Sequence, residues 1–314
     1  MIAYPNVKLN VGLRVLRRRP DGYHDLDTLF IPCNSFHDTL EIITGDDYSR
    51  TSAHLQETYA GAQLAQGITP DGKLMISLAR KEGVDWDPLK DLTARAYALL
   101  AADFKLPPMK IFLEKTAPVG AGLGGGSSDA AFALRMISEL AGLGLSDAQL
   151  SVYAARLGSD CAFFVYDRPM LGEGRGEVLT PFDLNLSGYD LQVIVPEGIS
   201  VSTADAYKGI VPREAIPGVS GPGGCSLREA FPGRVLSCFP QGAAPWPPIP
   251  LREALSRPVS QWRECLVNDF EATVFAAHPE LAAIKQRLYD QGAVYAAMSG
   301  SGSALFGLWP TAKK

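Results

Sequence analysis

Residues Lys115–Ala131 read KTAPVGAGLGGGSSDAA, with five glycines in the seven positions Gly120–Gly126. The apolar run MKIFLEK that ends at Lys115 has the composition of a strand. After the glycines, Ala130, Leu134, Ile137 and Ala141 recur at helical spacing, in a helix expected to start at Ser127 or Ser128, where a hydroxyl can cap it. Backbone without Cβ atoms turns sharply and can aim successive N–H groups at an anion, and the positive end of the following helix adds to them. The segment is therefore expected to cradle a polyphosphate; a flexible linker rarely falls between a strand and an amphipathic helix. A lysine-bearing P-loop needs G-K-[ST], whereas Ser127 and Ser128 follow Gly126 here. Gly120, Gly122 and Gly125 satisfy G-x-G-x-x-G, but Thr116–Val119 separate them from the strand end and the preceding chain is β-rich, unlike a βαβ dinucleotide unit.

Upstream, KLNVGLRVL, a Pro-Asp-Gly turn at Pro20–Gly22, LDTLFIP and DTLEII read as strands. Gly45–Pro88 is polar with weak periodicity, and hairpins and irregular connections are expected there. Asp91–Phe104 places Leu92, Ala96, Leu99 and Leu100 on one side of a helix. Downstream, Ser146 and Gln149 form an S-x-x-Q capping box for a helix through Leu150, Ala154 and Leu157 that stops at Gly158, leaving Asp160 exposed just after it. LQVIVP reads as a strand. Pro212–Pro250 holds fifteen Gly or Pro residues in thirty-nine positions, a loop-rich insertion. Helices are expected over Val267–Ala277 and Pro279–Asp290, then the strands YAAM and ALFGLW around Ser299-Gly-Ser-Gly-Ser303. That turn has more small residues than a hairpin needs, and its glycines permit close approach of backbone to a phosphate or substrate.

The 314 residues suggest about two domains of ~150 residues, and 46% hydrophobic with 20% charged residues is enough for a substantial core. A net charge of −5, with basic residues clustered only at Arg14 and Arg17–Arg19, argues against a nucleic-acid or anionic-membrane partner. The five cysteines, Cys33, Cys161, Cys225, Cys238 and Cys265, contain no C-x-x-C pair, and MIAYPNVKLN has no apolar leader core, so a cytoplasmic protein with reduced thiols is expected. Gly292–Ala312 is uncharged but too rich in Gly and Ser for a membrane span. No His, Cys or Asp spacing suggests a metal site, so the metal ligands are left unknown.

Three separated segments together carry a resemblance. KTAPVGAGLGGGSSDAA resembles the ATP-binding motif of the GHMP kinases. PNVKLNVGLRVLRRRPDGYHDLDTLF (Pro5–Phe30) and MSGSGSALFGLW (Met298–Trp309) resemble the opening and the third glycine-rich motif of one family within them, the 4-diphosphocytidyl-2-C-methyl-D-erythritol kinases. LGSDCAFF, GEGRGEVLTPF and NDFE extend the similarity over most of the chain, except Gly45–Pro88 and the Gly/Pro-rich insertion. The resemblance implies a two-lobed α+β fold, with an N-terminal ATP-binding domain (1–165) like the second domain of ribosomal protein S5 and a ferredoxin-like C-terminal substrate-side domain (166–314). It implies ATP-dependent phosphorylation of the 2-hydroxyl of diphosphocytidyl-methylerythritol in the non-mevalonate isoprenoid route, with Mg²⁺, by a monomer or weak homodimer.

The same resemblance implies site residues. Asp160 and Lys8 match the family's catalytic base and its lysine partner; a carboxylate can take the hydroxyl proton while an ammonium keeps it ionised and draws the phosphoryl oxygens. Pro118, Gly120, Gly122, Leu123, Gly124, Gly125, Gly126, Ser127 and Ser128 are the expected ATP-binding residues. Asn10, Tyr23 and His24, with Asp160, are expected at the substrate, an aromatic face and an imidazole being suited to cytosine. His37, His54 and His278 are read as surface or structural residues. Another GHMP kinase would be expected to lack the GYH segment, and a binding-only relative to lack Lys8 or Asp160. An NAD-binding enzyme is the remote alternative.

Overall fold

The computed structural model describes residues 1–45, 47–213 and 249–311. In chain order its strands are β1 (Ile2–Ala3), β2 (Asn6–Arg18), β3 (His24–His37), β4 (Thr39–Thr44), β5 (Leu64–Ile68), β6 (Leu74–Arg80), β7 (Met109–Lys115), β8 (Met170–Gly174), β9 (Val178–Pro181), β10 (Tyr189–Ile194), β11 (Tyr295–Met298) and β12 (Leu305–Pro310). Its helices are α1 (Thr51–Thr58), α2 (Leu92–Asp103), α3 (Gly125–Leu140), α4 (Asp147–Leu157), α5 (Cys161–Tyr166), α6 (Thr203–Lys208), α7 (Leu251–Leu255), α8 (Trp262–Cys265), α9 (Glu271–Ala277) and α10 (Pro279–Asp290). This is an α+β chain, as expected. Most of the Gly/Pro-rich segment, like Cys225 and Cys238, lies outside the described residues.

The chain divides into two compact units. Unit 1 comprises Met1–Lys8, Pro32–Val119 and Gly124–Arg168. Its five-stranded sheet has the order β1-β4-β7-β6-β5, antiparallel except for β6 and β7. A parallel pair needs a crossover, and α2 supplies it. Leu40, Ile42, Ile76, Leu78, Ile111 and Leu113 on the strands, and Ala96, Leu100, Ala130, Leu134 and Ile137 on the helices, are fully buried. The capping box at Ser146 forms, with its hydroxyl accepting the Gln149 N–H.

Unit 2 comprises Leu9–Ile31, Gly120–Leu123 and Pro169–Lys314. Its antiparallel sheet β10-β12-β11 carries α9 and α10, and Leu281, Ile284 and Leu288 are buried as the spacing requires. The core beneath also takes Leu13 and Val15 from β2. A parallel bridge ties Leu13 to Asn268: its N–H donates to the Val267 carbonyl at 2.9 Å, and its carbonyl accepts from Asp269 at 2.8 Å. The expected division into 1–165 and 166–314 is thus not one cut. The chain leaves unit 1 for the last time after Arg168, but two earlier segments already belong to unit 2, because their apolar residues and backbone hydrogen bonds are completed there.

Two local expectations change. α3 starts at Gly125 with left-handed Gly124 at its N-cap, so Ser127 and Ser128 lie inside the first turn and do not cap it. Within the stretch expected to be irregular, β5 and β6 do form a hairpin, but Thr51–Thr58 is helical. No described helix is long and apolar enough to cross a membrane, and Tyr295–Pro310 forms two strands and a turn.

Candidate active site

The glycine segment begins where β7 ends and finishes in the first turn of α3. Gly122 and Gly124 both have φ of 75°, a region that L-residues enter only with strain. Space is restricted as well. A Cβ on Gly122 would stand 2.2 Å from the Ser299 carbonyl oxygen, and one on Gly124 would stand 3.2 Å from the Lys8 side chain and from Phe164. The amides of Gly125, Gly126 and Ser127 come before the first intrahelical bond, which Ser128 N–H makes to the Gly124 carbonyl at 3.0 Å. A 16-residue helix thus presents free donors behind a backbone that only glycine can follow. Leu123 is buried and Pro118 half-buried.

In unit 1 the structure brings Lys8 and Asp160 together, their charged atoms 3.6 Å apart. The Lys8 side chain, on β2, is only 4% exposed, and that of Asp160 33%. Burial pulls the Lys8 ammonium below the ordinary lysine value, and the Asp160 carboxylate opposes the shift. Asp160 sits at the N-cap position of α5 without using its side chain as a cap, so the carboxylate keeps lone pairs for other work. Since Gly124 packs on the aliphatic stem of Lys8, the ammonium is fixed beside the start of α3. Chemically, a partly exposed carboxylate beside a buried ammonium can accept a proton, and the helix N-terminus next to them can bind an anion.

In unit 2, Asn10 on β2 donates to Thr28 Oγ1 at 3.1 Å, and its backbone N–H reaches Ser299 Oγ at 3.4 Å. Ser299 Oγ donates to the Gly122 carbonyl at 3.0 Å, and Ala304 N–H to the Ala121 carbonyl at 3.0 Å. The Ser299–Ser303 turn therefore holds the glycine segment: the close backbone approach expected toward a phosphate or substrate is made to Gly122. Asn268, from the NDFE motif, secures the turn by donating to the Met298 and Gly300 carbonyls at 2.7 and 2.8 Å.

Tyr23 and His24 follow the Pro-Asp-Gly turn, with Tyr23 55% exposed. The Arg175 guanidinium lies 5.1 Å from the Tyr23 ring centre. His24 stacks on Tyr207 of α6 with centroids 4.6 Å apart and planes 16° from parallel, and Tyr207 meets Phe270 edge-on at 4.8 Å. Burial, then the nearby Arg18 charge, lowers the His24 pKa and leaves a neutral imidazole with one donor and one acceptor at pH 7. Tyr207 and Arg175 were not singled out from sequence: Tyr207 is far along the chain in a six-residue helix with no motif, and Arg175 lay within a matched segment without a distinctive partner spacing. The other histidines have local partners: Tyr4 for His37, Glu114 for His54 and Glu280 for His278. No group of three or more His, Cys, Asp or Glu side chains among the described residues could hold a metal ion.

Comparison with known proteins places these features in one context. The family descriptions "GHMP kinases N terminal domain" and "GHMP kinases C terminal" match residues 91–168 and 251–314. The 4-diphosphocytidyl-2-C-methyl-D-erythritol kinase of Bacteroides fragilis is 39% identical over 100% of this chain and 94% of its own length. That of Bacteroides thetaiotaomicron is 40% identical over 98% and 92%. A crystal structure of 4-(cytidine 5'-diphospho)-2C-methyl-D-erythritol kinase superposes with a TM-score of 0.64 at 29% identity, covering 98% of this chain and 90% of the other. The mevalonate kinase of Methanococcus jannaschii, at 11% identity and a TM-score of 0.57, shares the fold.

Proposed function

The chain belongs to the 4-diphosphocytidyl-2-C-methyl-D-erythritol kinases, a family within the GHMP kinases and their two-lobed α+β fold, and from that premise we propose how its residues divide the reaction. The reaction is ATP-dependent phosphorylation of the 2-hydroxyl of 4-diphosphocytidyl-2-C-methyl-D-erythritol, in the non-mevalonate route to isoprenoid precursors, giving the 2-phosphate and ADP. In our reading Asp160 orients the 2-hydroxyl and accepts its proton, while Lys8 keeps Asp160 ionised and neutralises charge on the phosphoryl oxygens. Pro118, Gly120, Gly122, Leu123, Gly124, Gly125, Gly126, Ser127 and Ser128 form the ATP cradle. Tyr23 and His24 hold the cytosine, the first by its exposed face and the second by the edge of an imidazole that Tyr207 keeps in plane. Asn10, held by its hydrogen bond to Thr28 Oγ1, contacts the acceptor substrate in this reading.

Mg²⁺ would supply charge neutralisation on the ATP phosphates. The residues fit a cation carried in on the nucleotide, since Mg²⁺ ordinarily keeps water and substrate phosphates as ligands. Ser128, whose buried Oγ has no hydrogen-bond partner, and Asp160, whose carboxylate is partly exposed, are the residues that would hold it. A cytoplasmic monomer or weak homodimer completes the reading, and the free thiols of Cys33, Cys161 and Cys265 agree with a reducing compartment.

The observation that carries the assignment is the Lys8–Asp160 pair beside Gly124. Single-turnover measurements at saturating ATP and diphosphocytidyl-methylerythritol test it. Asp160→Asn is expected to lose about 10²- to 10⁴-fold in phosphoryl transfer with both dissociation constants little changed. Transfer within a few-fold of the parent rate is incompatible with Asp160 as the base.

A further inference from the structure

Beneath the start of α3 lies a cluster of three buried charges that the reaction does not use. Lys115, the last residue of β7, directs its ammonium to Asp129 Oδ2 at 2.5 Å and also to Asp38 Oδ2. All three side chains are at most 4% exposed. Asp38, just before β4, accepts with its other oxygen from the N–H groups of Thr116 and Ala117 at 2.6 and 2.8 Å. The Thr116 hydroxyl donates to the His37 carbonyl. A Cβ on Gly125 would stand 3.6 Å from Asp38 Oδ2 and 3.7 Å from Lys115 Nζ, so the cluster sits directly under the first residue of the helix.

Lys115 opens the glycine segment and Asp129 follows it one turn into α3, while Asp38 belongs to the sheet. We infer that Lys115, Asp38 and Asp129 form a clasp that closes the two ends of the glycine segment against the sheet and so sets the spacing of its amides for the ATP phosphates. The inference rests on the ATP-cradle reading. An unclasped segment would have to be ordered by the nucleotide itself, at a cost in affinity. Three full charges would also leave a net negative cluster under the phosphates. Burial, with the Asp38 charge adding to it, raises the Asp129 pKa well above the ordinary carboxylate value, which favours a neutral cluster.

These are positioning residues, and the test separates tether from charge. Asp129→Ala opens the helix end of the clasp while leaving Lys115 paired with Asp38. Asp129→Asn keeps an oxygen that can accept from Lys115. By titration calorimetry on the full chain, Asp129→Ala is expected to weaken ATP binding about 10-fold, and Asp129→Asn to restore it to within about three-fold of the parent. Affinity for diphosphocytidyl-methylerythritol is expected to be unchanged in both, and kcat at saturation to fall far less than KM for ATP rises. A folded Asp129→Ala protein with parental ATP affinity overturns the clasp, as does an Asp129→Asn protein as weak as Asp129→Ala. Should Asp129→Ala fail to fold, a folded Asp129→Asn protein decides alone: parental affinity supports the clasp and a 10-fold loss overturns it. Gly124→Val is the control. If it abolishes ATP binding while Asp129→Ala does not, the clasp fails and the cradle stands; if neither variant affects ATP binding, the cradle reading fails.

Discussion

Lys8 pays for its position with desolvation, and that gives it a measurable signature. Burial lowers its pKa from the ordinary 10.5, with only partial compensation from Asp160. In the proposed role the protonated form neutralises phosphoryl charge, so kcat is expected to fall as pH rises through the lowered value, below the pH at which an ordinary lysine titrates. A kcat profile flat beyond pH 10.5 would remove Lys8 from the chemical step. At the other end of the substrate, losing a base-stacking contact costs about 1–3 kcal/mol. Tyr23→Ala and His24→Ala are therefore expected to raise the dissociation constant for diphosphocytidyl-methylerythritol about 5- to 150-fold with ATP affinity nearly intact. Calorimetry with each ligand separates the two, and weakened ATP binding instead would move the pair to the donor side. The GYH segment was visible in the sequence; the Tyr207 ring that stacks on His24 was not, because nothing local marks a residue 183 positions away as its neighbour.

At the scale of elements, the glycine segment works because its backbone conformation and its surroundings both exclude side chains. Gly124→Val forces a β-branched residue to φ near 75° and drives a Cβ against Lys8 and Phe164. Such strain costs on the order of 1–3 kcal/mol. The variant is expected to raise the ATP dissociation constant 10-fold or more, and unchanged binding in a folded variant would place the cradle elsewhere. Strands β2, β3, β4, β7, β10, β11 and β12 and helices α2, α4 and α10 were readable because their apolar residues repeat at the period of the element that buries them. Helix α1 was not. It buries only Thr51 and Leu55, and its N-terminal N–H groups at Arg50 and Thr51 donate to the Glu41 carboxylate, from a strand ten residues earlier. The start of α3 was misjudged for a related reason: serine caps are the common local rule, and a left-handed glycine took that place here.

For the molecule as a whole, the consequence of interleaved segments is that no single cut yields a complete unit 2. Its core includes Leu13 and Val15 from β2, with Leu26 of β3 packed against it, so residues 166–314 alone would expose apolar surface that those side chains cover. That fragment is expected to lack a cooperative urea transition that the full chain shows, and a cooperative transition of comparable slope would refute the dependence. The sequence by itself determined most elements and the strand–glycine–helix segment, because periodicity and glycine content are local properties, while its resemblance to a known family supplied the α+β class and singled out Lys8, Asp160, Tyr23 and His24 as candidates. Only the tertiary structure decided that Ser299–Ser303 holds Gly122, that Lys115 clasps the glycine segment through Asp38 and Asp129, and that Tyr207 backs His24. Each of those depends on which distant residues burial brings within hydrogen-bonding or stacking distance, and burial is a property of the packed chain.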